Sequence, residues 1–105
     1  MIRIEDLRKS CLNDMLIVTK HIRARCLERD ITISDVQNVI MNGEIIKQYE
    51  DDSPYPSCLL LGLSINGKLL HAVASYNDGW THLITAYYPD PDKWESDFKT
   101  RRNDQ

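Results

Sequence analysis

His21, Arg25 and Arg29 stand four residues apart in a stretch whose pattern predicts a helix. At 3.6 residues per turn, that spacing stacks an imidazole and two guanidiniums along one stripe. Three potential cations in a row are poor core material and good material for holding a phosphate, a carboxylate or an acidic partner chain. A solvated helix face has the same signature, with Arg25 and Arg29 paired to Glu28, Asp30 or the Glu50–Asp52 run. Such exposed pairs contribute only ~0–1 kcal/mol.

The second candidate is His71. Asn66-Gly67 predicts a two-residue hairpin turn, because both central residues need positive φ. That turn pairs Ile65 with Lys68, Leu63 with Leu70, Gly62 with His71 and Leu61 with Ala72. One sheet face then carries Leu59, Leu61, Leu63, Leu70, Ala72 and Ala74 as core. The other carries Leu60, Gly62, Ser64, Leu69, His71 and Val73, and the glycine opposite His71 leaves a gap above the sheet. A polar group beside a gap suits a binding site. A histidine hydrogen-bonded within a half-buried sheet is the plainer explanation. A two-residue turn at Asp78-Gly79 pairs Asn77 with Trp80 and puts His82 on the His71 face. One more loop residue brings Thr85 and Tyr87 there instead, and the spacing leaves both open.

The elements that must position these groups follow from period and punctuation. Residues 4–11 predict a short helix with Leu7 and Cys11 on one side, broken at Asn13-Asp14. Met15–Arg29 predicts a longer helix burying Leu16, Ile17, Ala24 and Leu27, ended by Asp30. Ser34-Asp35-Val36-Gln37 is a capping-box pattern opening a helix at 34–42. Its buried stripe is Val36, Val39 and Ile40, and Asn42-Gly43 supplies a left-handed stop. The period then falls to 2. Strands are expected at Glu44–Glu50, Cys58–Ile65, Lys68–Tyr76 and Trp80–Tyr88, with a proline-bound loop at Ser53-Pro54-Tyr55-Pro56. Asp90-Pro91-Asp92-Lys93 opens a last helix with Trp94 and Phe98 on its apolar face, and Thr100–Gln105 frays. The expected fold is α+β in one domain, 1–105: two N-terminal helices, a four-stranded antiparallel meander and a C-terminal helix.

Composition narrows the function classes. The chain has 105 residues, 42% of them hydrophobic and 28% charged, which fits one globular core rather than a disordered segment. Net charge is −3, so any nucleic-acid contact needs a local basic patch on an acidic protein. The apolar runs Met15–Val18 and Leu59–Leu63 fall far short of the ~20 residues of a membrane helix. Met1–Asp6 lacks the apolar core of a signal peptide, so a cytoplasmic protein is expected. Three cysteines at 11, 26 and 58, without a Cys-x-x-Cys pair, read as packing residues rather than a disulfide framework or zinc site. There is no glycine-rich phosphate loop, no Gly-x-Ser-x-Gly and no His-Glu-x-x-His. Asp90-Pro91-Asp92 with Glu95 lacks the spacing of a calcium loop, so neither metal nor cofactor is expected. Ser34–Gly43 carries no Lys or Arg for phosphate, which weakens a helix-turn-helix reading.

Four motifs in order resemble a known family. They are His21-x-x-x-Arg25-x-x-x-Arg29-Asp30-Ile31; Asp35-Val36 leading into Asn42-Gly43-Glu44-Ile45-Ile46; Pro56-Ser57-Cys58-Leu59 through Leu70-His71-Ala72-Val73; and Ile84-Thr85-Ala86-Tyr87 followed by Pro89-Asp90-Pro91-Asp92-Lys93-Trp94 and Arg101. Over about Leu16 to Arg102 they resemble the bacterial family called domain of unknown function four-two-five-eight. Asp30 departs from that pattern, where a glycine is common, although aspartate also takes the left-handed conformation.

The family looks like a relative of the RelE/BrnT-like toxins of bacterial toxin–antitoxin pairs. The resemblance implies a RelE-like fold and a small antitoxin protein as partner. It also implies a metal-independent endoribonuclease, or a degenerate form of one, acting on mRNA. Basic and aromatic groups would then activate the ribose 2′-hydroxyl and stabilise a phosphorane-like transition state. His71 would be general acid or base, its ordinary pKa of ~6.5 suiting neutral pH. His21 would be a second proton-transfer group, and Arg25 and Arg29 would hold the phosphate. Tyr87 would stack a base, and Arg101 would extend the basic patch. The alternative is a non-catalytic binding module that docks a partner or self-associates through Tyr55, Trp80 and Trp94. The oligomeric state is open.

Overall fold

The computed structural model describes residues 1–102. Its elements are α1 (Ile4–Leu12), β1 (Leu16–Ile17), α2 (Lys20–Glu28), α3 (Ile33–Asn42), β2 (Glu44–Tyr49), β3 (Ser57–Leu63), β4 (Leu69–Asn77) and β5 (Trp80–Tyr87). The fold is α+β, with the helices on one face of a five-stranded mixed sheet of order β1-β5-β4-β3-β2. β1 runs parallel to β5, and the remaining neighbours are antiparallel.

The expected four-stranded antiparallel meander with a C-terminal helix is therefore corrected at both ends. Leu16–Ile17 pairs with Thr81–His82 instead of opening α2. Ile17, Val18 and Thr19 are β-branched and favour extended backbone. The Thr19 hydroxyl then accepts the Ile22 N–H at 3.4 Å, so the helix starts after it. With that start the buried side of α2 is Ile22 and Cys26, while Leu27 is 83% exposed.

At the other end, residues 89–102 form turns rather than a helix. The Asp97 carboxylate accepts the Lys99 and Thr100 N–H groups and the Thr100 hydroxyl, a local alternative to helix that aspartate readily supplies. Trp94 and Arg101 face each other across an antiparallel bridge. This strap lies against the sheet, so Thr100–Arg102 is paired rather than frayed; the rest of the expected frayed tail lies outside the described residues.

Helix ends explain the path between these elements. α1 and α2 both close with an aspartate in the left-handed region, Asp14 at φ 57° and Asp30 at φ 58°. In each, the next N–H reaches back to the third-last helical carbonyl: Met15 to Ser10 and Ile31 to Cys26, both at 2.8 Å. α3 opens on a capping box of Thr32 and Asp35, two residues before the expected Ser34. Burial raises the Asp35 pKa, but hydrogen bonds from Thr32 and the Ile65 N–H outweigh it and hold it below the ordinary value. Gly43, expected to be left-handed, is extended. Its need is for space: a Cβ there would lie 2.4 Å from the Leu61 carbonyl oxygen and 2.5 Å from that of Val39.

The β3–β4 hairpin also departs from the expected register. Leu61 faces His71, and Gly62 faces Leu70. Only Gly67 (φ 83°) has positive φ in this loop, and Ser64 N–H bonds the Lys68 carbonyl, which makes a three-residue loop with a bulge. Slipping one residue exchanges the faces of β3. Cys58, Leu60, Leu70, Ala72, Ala74, Leu83 and Ala86 meet the helices through Leu7, Ile22, Cys26, Val36, Val39 and Ile40. Gly62 lies against Val39, not beside a gap. Leu59, Leu61, His71 and Val73 share the opposite face.

Candidate functional site

The face turned away from the helices gathers the chemistry-bearing side chains. The Asp78-Gly79 turn has both residues at positive φ and pairs Asn77 with Trp80, which brings Ser75 and His82 opposite each other. A bulge between Val73 and Ala74 then shifts the register, so Val73 meets Thr85 and His71 meets Tyr87. The two-residue turn is the one that forms, and it is the bulge rather than a longer loop that brings Thr85 and Tyr87 to the His71 face. A second bulge, in β2, lets Lys47 and Tyr49 join the same face opposite Leu59 and Ser57.

Lys47, Tyr49, Tyr87, Trp94, Lys99 and Arg101 line a cleft of about 370 Å3 on this face. The Arg101 guanidinium lies 5.5 Å from the Trp94 ring centroid, and the Lys47 ammonium lies 5.5 Å from that of Tyr49. Lys99 pairs with Glu44 at 3.0 Å, which ties the strap to β2. An acidic chain thus gathers three cations and three aromatics at one place.

His71 sits behind that cleft and is fully buried. Trp94 meets its ring edge-on with centroids 4.6 Å apart, and Tyr87 does so at 5.3 Å. His71 Nε2 lies 2.8 Å from the Phe98 carbonyl oxygen, which can only accept, so Nε2 carries a proton. In the neutral ring Nδ1 then accepts from the Tyr87 hydroxyl at 3.3 Å. Burial lowers the His71 pKa, against a smaller opposing effect of the Phe98 carbonyl, so the ring stays neutral at pH 7. Burial raises the Tyr87 pKa, Tyr49 adds to the rise and Arg101 opposes it, so the hydroxyl keeps its proton.

The helix stripe has a different fate. α2 packs through Ile22 and Cys26 on the far side of the sheet, and His21 and Arg25 point to solvent. Arg25 pairs with Glu28 at 3.6 Å. Arg29 caps α2 and turns inward, donating to the Ala86 carbonyl at 2.8 Å and Thr85 Oγ1 at 3.3 Å. The structure brings His71, Tyr87 and Arg101 together and leaves His21, Arg25 and Arg29 on the helix layer. Lys47, Tyr49 and Lys99 were not singled out as site residues by their spacing, and Trp94 entered only as a docking anchor of the binding-module alternative. The alternation of Lys47 and Tyr49 along β2 was the one available signal.

Other features are less convergent. A larger groove of about 550 Å3 runs between residues 1–5 and β2, but Arg3 and Glu5 in it pair with each other at 3.7 Å. Burial raises the thiol pKa of all three cysteines, that of Cys58 to about 12, which suits packing. Among the described residues no group of three or more His, Cys, Asp or Glu could hold a metal ion, and no helix is long and apolar enough to cross a membrane.

The family model described as Domain of unknown function (DUF4258) matches residues 18–88, about two thirds of the chain. The chain belongs to that family. The DUF4258 match takes in α2 through β5, with His71 and Tyr87, and stops before the strap that brings Trp94, Lys99 and Arg101. A search of the curated proteins and of the solved structures finds no significant match.

Proposed function

We propose that this DUF4258 protein is a metal-independent endoribonuclease of the RelE/BrnT-like kind, the toxin of a bacterial toxin–antitoxin pair. One observation carries the reading: the sheet-face cleft that sets Lys47, Lys99 and Arg101 among Tyr49, Tyr87 and Trp94, with a neutral His71 behind Tyr87. The three cations would hold the scissile phosphate and its developing charge. The ribose 2′-hydroxyl would attack phosphorus and the 5′-oxygen would leave, giving a 2′,3′-cyclic phosphate and a 5′-hydroxyl. Tyr87, whose side chain lines the cleft, would exchange protons with the reacting oxygens. His71 would act through it, because its Nδ1 can accept the phenol proton while Nε2 stays on Phe98. His71 is then a positioning and relay residue rather than a group that touches RNA. A partner antitoxin would cover the same face.

A second reading, a binding module without chemistry, is favoured by the fact that both His71 ring nitrogens are already engaged within the protein. Inducible expression in bacteria, coupled to detection of 2′,3′-cyclic phosphate ends, separates the two. Growth arrest with new cyclic ends is expected for the wild type. Tyr87→Phe should reduce cleavage about 100-fold or more, the usual range for a lost proton-transfer group. Normal growth and intact RNA with well-folded wild-type protein would overturn the enzymatic reading.

A further inference from the structure

We infer that the same sheet face holds a second subsite, which takes one unpaired nucleobase of the strand whose phosphate lies in the cationic cleft. This rests on the proposed action on RNA and adds where the strand runs. Ile17, Tyr55, Ser75, Asn77, Trp80 and His82 line a separate pocket of about 230 Å3 with Asp78. Ser75, Asn77, Trp80 and His82 belong to the His71 face by register, since Ser75 pairs with His82 and Asn77 with Trp80. Two large aromatics are left in solvent there, Tyr55 at 46% and Trp80 at 42% exposure.

Three features favour a base over other occupants. The volume equals roughly eight waters at ~30 Å3 each, the scale of one heterocycle and too small for a docked helix. Its wall combines flat aromatic surface with side chains able to meet a base edge, namely Asn77, Ser75 and His82. It contains no cation, so it needs a neighbouring site to hold the backbone, and the cleft on the same face supplies Lys47, Lys99 and Arg101. Ser75 and His71 are four residues apart on β4, so the two sites are separated by about 13 Å along the strand. An extended single strand crosses that distance with successive nucleotides, whereas a duplex would bury its bases from the pocket. Division of labour between a charged groove and stacking aromatics is how single strands are held without base pairing.

The test compares an eight-nucleotide single-stranded RNA with an abasic oligomer of the same length and backbone, both titrated onto the 105-residue chain. The wild type should bind the base-bearing strand more tightly. Trp80→Ala should weaken that strand roughly tenfold and leave the abasic oligomer unchanged. Trp80→Phe should restore most of the difference, and Tyr55→Ala, in a loop, gives a second check independent of β5. Lys47→Ala/Arg101→Ala should weaken both ligands. If Trp80→Ala and Tyr55→Ala bind RNA like the wild type, the subsite is overturned and the ribonuclease reading stands. If those variants instead lose self-association with RNA affinity unchanged, the patch is a protein contact and the subsite is likewise overturned. If the wild type binds neither oligomer, the proposed function fails and the subsite falls with it.

Discussion

Two sets of cations sit on opposite sides of one sheet, and they are built in different ways. His21, Arg25 and Arg29 share a helix, so their neighbourhood is local and visible in spacing. Lys47, Lys99 and Arg101 lie up to 54 positions apart and meet only because two bulges and a strap bring them to one face. The first set spends itself on structure: Arg25 on Glu28, Arg29 on the carbonyl of Ala86. The second set also holds a structural ion pair, Lys99 with Glu44, but together its members surround a cleft with aromatics and a buried histidine. Clustering along a helix reports a face, whereas convergence across strands marks a candidate site.

The comparison breaks most easily at the point where α3 hands the chain to β2. Gly43→Ala would push a methyl into two backbone oxygens and displace the strand that carries Lys47 and Tyr49. A loss of about 3 kcal/mol is expected in urea unfolding. α2, held by its own caps, should keep its helical signal longer on partial unfolding.

Charge removal sharpens the contrast. Lys47→Ala/Arg101→Ala should reduce the slope of log affinity for RNA against log salt by about two, one per lost phosphate contact. His21→Ala/Arg25→Ala should leave that slope unchanged. An equal change in both would erase the distinction between the two sets.

Acid titration tests the groove from behind. His71 is held neutral in the fold, while in the unfolded chain it protonates near pH ~6.5. Its contribution to stability is therefore present above that pH and is lost as pH falls below it, toward the lowered folded pKa. Asp35, also lowered, acts only at still more acidic pH. Unfolding measured from pH 8 to 5 should show stability declining below about 6.5, and His71→Gln should flatten the decline. The smallest effect belongs to the end of the helix that carries the stripe. Asp30→Ala should cost about 1 kcal/mol at the left-handed end of α2, and Asp30→Gly should be neutral or slightly stabilising.

Much of the scaffold was legible because its signals are local. The helix expected at 34–42, a turn at Asp78-Gly79, the strand periods and the aspartate at the end of α2 are all set by neighbours within four residues, although the cap fell on Thr32 rather than Ser34 and Gly43 is extended rather than left-handed. What the spacing missed depended on competition between local options. Ile17–Thr19 could extend a helix or start after a strand, and Thr19 as cap decided it. Asn66-Gly67 could make a two- or three-residue loop, and the latter moved Leu59 and Leu61 to the face of His71. Asp97 could sit in a helix or fold a turn around its own carboxylate. His71 and Tyr87 were identifiable as chemistry-bearing types, but their mutual contact needed the bulge at Ile84 in β5. In the strap, the four-residue spacing of Trp94 and Phe98 pointed to a helix that does not form, and nothing in the spacing of Lys99 and Arg101 pointed to the cleft.

Backbone amide shift perturbation during titration with a short single-stranded RNA tests the central claim most directly. Perturbations centred on Lys47, Tyr49, Tyr87, Trp94 and Arg101, with α2 silent, are expected. Perturbations centred on His21, Arg25 and Arg29, with the sheet face silent, would contradict it.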